Sequence, residues 1–172
     1  ISSTVAGGIY LQESNAIDLL DIDTANGPIS ITSSGAMTAT DVVSSNNAQA
    51  NDITLMTRGA GNDIIITRIN ALGQANVATR YGDVFLNSAG TLKDNTANDE
   101  QALVIADTLT IYVATPMPTG IADIDTDVNR LELPAGSTGD VHIQQDTGDL
   151  ILGAITTNNG DNISVDAAGK VT

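Results

Sequence analysis

The 172-residue chain has no cysteine and no tryptophan, one phenylalanine, three tyrosines, a single histidine and only six Lys and Arg against 21 Asp and Glu, for a net charge of −15. Each scarcity removes a class of function. Without cysteine there are no disulfides, no thiol nucleophile and no thiolate metal site, and His142 is the one imidazole available to a metal. So few basic residues argue against nucleic acid, whose phosphates must be neutralised by cations, and against an anionic membrane surface. No stretch approaches the roughly 20 consecutive apolar residues of a membrane helix, so membrane insertion is not expected. The chain opens on Ile1 without a basic and apolar leader and closes on Val171-Thr172 inside an apolar alternation, so we expect an excerpt of a longer protein.

Aromatic residues are 2% of the chain while hydrophobic residues are 41%, so the core must be built from aliphatic and small side chains. Period-2 alternation recurs at Ile9-Tyr10-Leu11, Ile29-Ser30-Ile31, Ile53-Thr54-Leu55, Ile64-Ile65-Ile66, Val84-Phe85-Leu86, Leu109-Thr110-Ile111, Val141-His142-Ile143 and Ile163-Ser164-Val165. Such alternation marks short strands with one buried side. Between them lie corners rich in Gly, Asn, Asp and Ser, such as Ala25-Asn26-Gly27-Pro28 and Ser88-Ala89-Gly90. Only Asn98 to Ala106 carries any helical bias.

The segment 7–38 aligns with 139–172 through its whole length with two single-residue insertions, and within each copy equivalent apolar pairs recur after about 20 to 22 residues. That beat describes a rung. A coil of short strands cannot bury its inward side chains alone, but coils stacked about 4.8 Å apart pair their backbones and enclose a narrow interior. Such an interior takes Ile, Val, Leu, Ala and Thr and repeatedly rejects bulky rings. The expected fold is therefore all-β, a parallel β-helix (β-solenoid) of stacked rungs of about 20 residues, running through 1–172 as one continuous unit. A β-sandwich also accommodates short strands and frequent turns, but it does not generate a rung-length beat.

The phrases GGIYLQES from Gly7, GDVFLNSAGTL from Gly82, GDVHIQQDTGDLILGAI from Gly139 and GDNISVDAAGKVT from Gly160 resemble repeat units of very large bacterial surface and secreted proteins of the filamentous-haemagglutinin-like class. The stretch 115–131, and within it Gly120 to Leu131, resembles the connector that restarts a block of rungs in these chains. The resemblance implies export, a right-handed β-helical rod, an extracellular or cell-surface location, and a role in adhesion or filament building. Two departures stand out: 93–101 breaks the beat, and no secretion domain is present. The expected partners are neighbouring repeats of the same chain or identical chains end to end, with surface glycans as adhesion targets.

Calcium is the one metal this chain is composed for, because hard oxygen ligands are in excess. Asp123, Asp125, Asp127 and Asn129 alternate as an EF-hand loop begins, but Val128 stands where that loop needs Gly and Pro134 where it needs a bidentate Glu, so at most a looser calcium site is expected there. Gly59-Ala60-Gly61-Asn62-Asp63 resembles half of a calcium-binding β-roll nonapeptide in a single copy, and reads as a corner; Asp21, Asp23 and Asn26 form a similar acidic corner. No enzymatic activity is expected. Polysaccharide cleavage is the enzymatic rival, with Arg58 and Arg68 set near Asp52 and Asp63 on consecutive coils. His142 alternates with Val141 and Ile143 and is replaced by Tyr10 in the first copy, a poor pattern for a general base. Thr54, Thr57, Thr67 and Thr110 raise ice binding, but no regular outward Thr ladder is present.

Overall fold

A computed structural model describes residues 1–72, 79–96, 101–117, 123–134, 140–156 and 160–172. Among these every regular element is a strand, and the strands stack in parallel as a β-solenoid of about six turns. The first four turns have three strands each: β1 (Ser2–Ala6), β2 (Ile9–Glu13) and β3 (Ile17–Leu19); β4 (Ile22–Asn26), β5 (Ile29–Ser33) and β6 (Met37–Ala39); β7 (Val42–Ser44), β8 (Ile53–Thr57) and β9 (Ile64–Ile66); β10 (Ile69–Asn70), β11 (Val84–Ser88) and β12 (Leu92–Asp94). The next turns are carried by β13 (Val104–Val113) and β14 (Ile124–Leu133), after which β15 (Val141–Gln145), β16 (Ile151–Ile155) and β17 (Ile163–Ala167) complete the described chain.

Three stacks result. The first runs β1-β4-β7-β10 and continues through the leading halves of β13 and β14 to β15 and β17; the second runs β2-β5-β8-β11 through the trailing halves of β13 and β14 to β16; the third is β3-β6-β9-β12. Register is kept over long distances, as in Ile29↔Ile53↔Val84↔Leu109↔Leu131. Inward rows therefore consist of aliphatics lying on their own equivalents: Ile31, Leu55, Leu86 and Ile111 are all 0% exposed. Sheets paired on both edges and covered on one face leave the alternate residues at least partly in solvent, which produces the period-2 pattern of β5, β8 and β11.

The corners obey equally strict rules. Where the second stack ends, Ser33, Thr57 and Ser88 point inward, and their hydroxyls donate to corner carbonyls: Ser33 to Asn15 and Gly35, both at 2.7 Å, Thr57 to Asn62 at 2.7 Å, Ser88 to Thr91 at 2.8 Å. In the first stack, buried Thr24 donates to the Gly27 carbonyl at 2.7 Å and lies 3.2 Å from the Ser44 hydroxyl one turn on. Where strands begin, an aspartate recurs immediately before the first apolar residue. Its carboxylate accepts the backbone N–H of the equivalent residue on the following turn: Asp52 from Asp83 (3.1 Å), Asp83 from Thr108 (3.0 Å), Asp63 from Thr91 (3.0 Å), Asp140 from Asn162 (2.7 Å) and Asp149 from Lys170 (2.9 Å). The carboxylate thereby supplies an acceptor for a backbone N–H at the corner of the following turn. Gly82 sits at a corner because backbones meet there: a Cβ on it would fall on the Ala71 carbonyl oxygen.

The rungs are less uniform than the expected 20 residues. One turn takes 20 residues from Ile9 to Ile29 but 31 from Ile53 to Val84, because excursions between the first and second stacks are accommodated at the corner. Of the stretch expected as a connector, 118–122 lies outside the described residues, while Ile124–Leu133 is a full strand inside the stack. Of the expected beat-breaking stretch, Lys93 and Asp94 continue the third stack and 97–100 lie outside the described residues. The helical bias of Asn98 to Ala106 is overridden where it is described, since Val104 to Ala106 opens β13 against β14.

The two sequence copies have equivalent registers, Ile9↔Ile29 with Ile17↔Met37 in the first and Val141↔Ile163 with Leu150↔Val171 in the second. They are not equivalently placed. β2 lies in the second stack, whereas β15 lies in the first, and among the described residues the second copy has strands in two stacks only.

Truncation should separate the two faces of one strand. Leu55→Ala is expected to lower the unfolding free energy by about 2 to 5 kcal/mol, while its outward neighbour Thr54→Ala changes it by about 0.5 kcal/mol or less, as read from urea titrations followed by circular dichroism.

Candidate functional site

Over five successive turns the outward face of the second stack has two rows in register, Tyr10-Ser30-Thr54-Phe85-Thr110 and Gln12-Thr32-Met56-Asn87-Tyr112, and on the sixth turn the first row continues into Glu132, which accepts from Arg130 at 2.7 Å. Over those five turns no residue of either row is charged, although the chain carries 27 Asp, Glu, Lys and Arg in total (21 acidic and six basic). Three of the four aromatic residues of the protein stand in these rows. The Phe85 and Tyr112 rings are 5.5 Å apart between centroids at 49°, a tilted contact between adjacent turns, and Tyr10 is 73% exposed.

One margin of this face is the aspartate corner. Asp52 and Asp83 occupy it in register on successive turns, Asp107 stands one residue before Thr108, the equivalent of Asp83, and Asn129 on the next turn donates from Nδ2 to Asp107 at 2.8 Å. Burial pushes the Asp83 carboxyl above its ordinary value against the lowering effect of the Thr108 N–H, and the charges of Asp52 and Asp107 add to the rise. Asp63, at the start of the third stack, behaves oppositely. Burial pushes it up, but the hydrogen bond from Lys93, the Thr91 N–H and the Lys93 charge outweigh that and hold it below the usual carboxylate range.

Asp123, Asp125, Asp127 and Asn129, the candidate calcium ligands, fall at alternate positions entering and along β14, and the structure draws them to different partners. Asp125 and Asp127 are buried despite facing away from the aliphatic interior. The Arg80 guanidinium reaches Asp127: Nη2 donates to the Asp127 carboxylate, and Nη1 donates to the Asp127 carbonyl and to the Ala106 carbonyl at 3.3 Å. Thr147 donates to the same carboxylate oxygen of Asp127 at 2.8 Å. Asp127 is thereby committed to a cation within the protein, and Asn129 is turned toward Asp107. Among the described residues no group of three or more His, Asp or Glu side chains is gathered so that it could hold a metal ion.

Gly59-Ala60-Gly61-Asn62-Asp63 is the corner between β8 and β9, with Gly59 and Gly61 at φ of 85° and 81° and the Asn62 amide donating to the Ser34 and Arg58 carbonyls. Arg68 pairs with Asp41 at 2.7 Å and Asp63 with Lys93, and among the described residues neither Arg58 nor Arg68 forms an ion pair with Asp52 or Asp63. Asp23 is shifted up by burial, then by its hydrogen bond and repulsion with Asp21 and by the Asp41 charge. His142 faces outward on β15 beside Ser164, with a buried Nε2 that has no hydrogen-bond partner among the described residues. The threonines are dispersed: Thr54 and Thr110 face outward with Phe85 between them, Thr57 points into the interior, and Thr67 accepts from Asn95 at a corner.

No helix among the described residues is long and apolar enough to cross a membrane. Comparison with known proteins finds no family model, no curated protein and no solved structure that matches this chain.

Two measurements follow from these electrostatics. Arg80→Ala leaves Asp127 buried without its cation and should cost about 3 to 5 kcal/mol in urea unfolding, with part of that loss recovered in Arg80→Ala/Asp127→Ala. The second concerns pH. Asp63, depressed in the folded state, stabilises above the unfolded carboxylate value and loses that stabilisation as pH falls through its folded value; Asp83, raised, destabilises while ionised and is relieved as pH falls through its own folded value. Asp63→Asn should therefore lower the melting temperature at pH 7 and Asp83→Asn should raise it, both differences shrinking toward pH 3 as the parent carboxyls protonate.

Proposed function

We propose that this chain is a segment of an extracellular tandem-repeat fibre, a rigid rod of stacked β-turns whose work is adhesive and mechanical rather than enzymatic. The observation that carries the reading is the pairing of the outermost described strands on one side only. β2 pairs with β5 alone, β3 with β6 alone and β17 with β15 alone, and Leu11, Ile17, Ile163 and Val165 are only partly buried where their mid-stack equivalents are fully enclosed. A parallel strand with a free edge and an incompletely covered apolar row is a template for another turn of the same kind. Neighbouring repeats of the same chain, or identical chains end to end, supply such a turn, and the two-copy repeat of 7–38 in 139–172 supports that pattern. The resemblance of the Gly-led phrases to the filamentous-haemagglutinin-like class supports export to the cell surface and adhesion. The net charge of −15 keeps rods apart laterally and leaves axial contact as the favoured mode.

Light scattering on the 172-residue chain tests the reading. Masses in multiples of 17.6 kDa that grow with concentration, with filaments in negative-stain micrographs, are expected. Leu11→Lys, which places a charge on the open end of the interior, should abolish them. A chain that remains a monomer at millimolar concentration overturns axial stacking.

A further inference from the structure

We infer that the outward face of the second stack is a binding surface for a neutral polysaccharide. This names the partner chemistry for the adhesive part of the function proposed above and rests on that part alone. A surface selected only for solubility in so acidic a chain would carry charge throughout, yet over five consecutive turns these two rows carry none, and charge enters only on the sixth turn at Glu132, which is paired with Arg130. Instead it presents rings, hydroxyls and amides. Tyr10, Phe85 and Tyr112 offer apolar faces on which the C–H surface of a sugar ring can lie, while Ser30, Thr32 and Asn87 offer donors and acceptors for its hydroxyls. Outward residues of a β-solenoid have no part in closing the interior, so placing three of the protein's four aromatics here is not a packing requirement. The rows run along the rod for roughly 19 Å at the usual spacing between strands, which suits an extended polymer rather than a compact ligand.

Charge selects the occupant. The Asp52, Asp83 and Asp107 margin repels a polyanionic glycan, and it repels an identical margin on a second copy laid face to face. A neutral chain meets no such penalty, and its hydroxyls can donate to the outer carboxylate oxygens along that margin.

Native affinity electrophoresis of the whole chain provides the test, with xyloglucan, mixed-linkage β-glucan and galactomannan in the gel as neutral probes and alginate as the polyanion. At least one neutral glycan is expected to retard the protein, with affinity falling about tenfold or more in Phe85→Thr/Tyr112→Thr, a loss of the size of one stacked ring. Alginate should leave mobility unchanged. Tyr10→Thr, at an exposed site, provides a second weakened variant if the double substitution disturbs folding as judged by circular dichroism. No retardation by any neutral glycan, equal retardation of variant and parent, or equal retardation by alginate overturns the proposal. A doubling of mass that disappears in Phe85→Thr/Tyr112→Thr also overturns it and makes the face an interface between copies. Axial stacking is read separately, through Leu11→Lys and light scattering, so either reading can fail without the other.

Discussion

Everything in this molecule depends on parallel strands meeting their own equivalents one turn away. Backbone N–H and C=O groups are satisfied between turns rather than within them, so any residue that shifts register removes partners from both neighbours. This constraint selects side chains position by position. Inward sites take Ile, Leu and Val, which stack on like shapes; on three successive turns the last inward site of the second stack takes Ser or Thr, whose hydroxyl reaches a corner carbonyl. At five corners the site before the first apolar residue takes Asp, whose carboxylate accepts a backbone N–H from the following turn.

The acidic character of the chain thus has a structural component as well as an electrostatic one. Where a corner aspartate has no cation beside it, as at Asp83, burial and the charges of Asp52 and Asp107 work against its ionised form. Where a lysine is within reach, as at Asp63 and Lys93, the same corner chemistry is stabilising. Arg80 is the most committed of the described cations: it ties the strand that follows it to Ala106 and Asp127 on the next two turns, and through Asp127 to Thr147 beyond them. With corners and interior assigned to folding, the outward rows of the second stack are free of structural duty, and they are where the rings and uncharged polar groups collect.

Much of the fold was legible along the chain. Alternation around Ile29, Ile53, Val84 and Leu109 located the strands of one stack, and recurrence of equivalent apolar pairs located the turns. The corner aspartates were legible in principle as a recurring Asp before an apolar residue, at Asp52-Ile53, Asp63-Ile64, Asp83-Val84, Asp140-Val141 and Asp149-Leu150, but a carboxylate bonding to a backbone N–H 21 to 31 residues away leaves no local trace of its partner. The alternating Asp125, Asp127 and Asn129 read as solvated ligands because their spacing is all that sequence displays. Asp125 and Asp127 are buried instead, Asp127 against Arg80 more than 40 residues earlier, while Asn129 is exposed and bonded to Asp107.

Sequence by itself determined the inward and outward sides of each strand and the parallel stacking of turns, because a period of two and a rung-length repeat are local properties. Only the tertiary structure decided how many strands make a turn. Copies that align through their whole length form three stacks at 7–38 and, among the described residues, two at 139–172, because β15 and β16 both pair with the ten-residue β14 while the first copy pairs with turns of three short strands. A strand takes its place from the turn it hydrogen-bonds to, and that turn is not encoded within the strand.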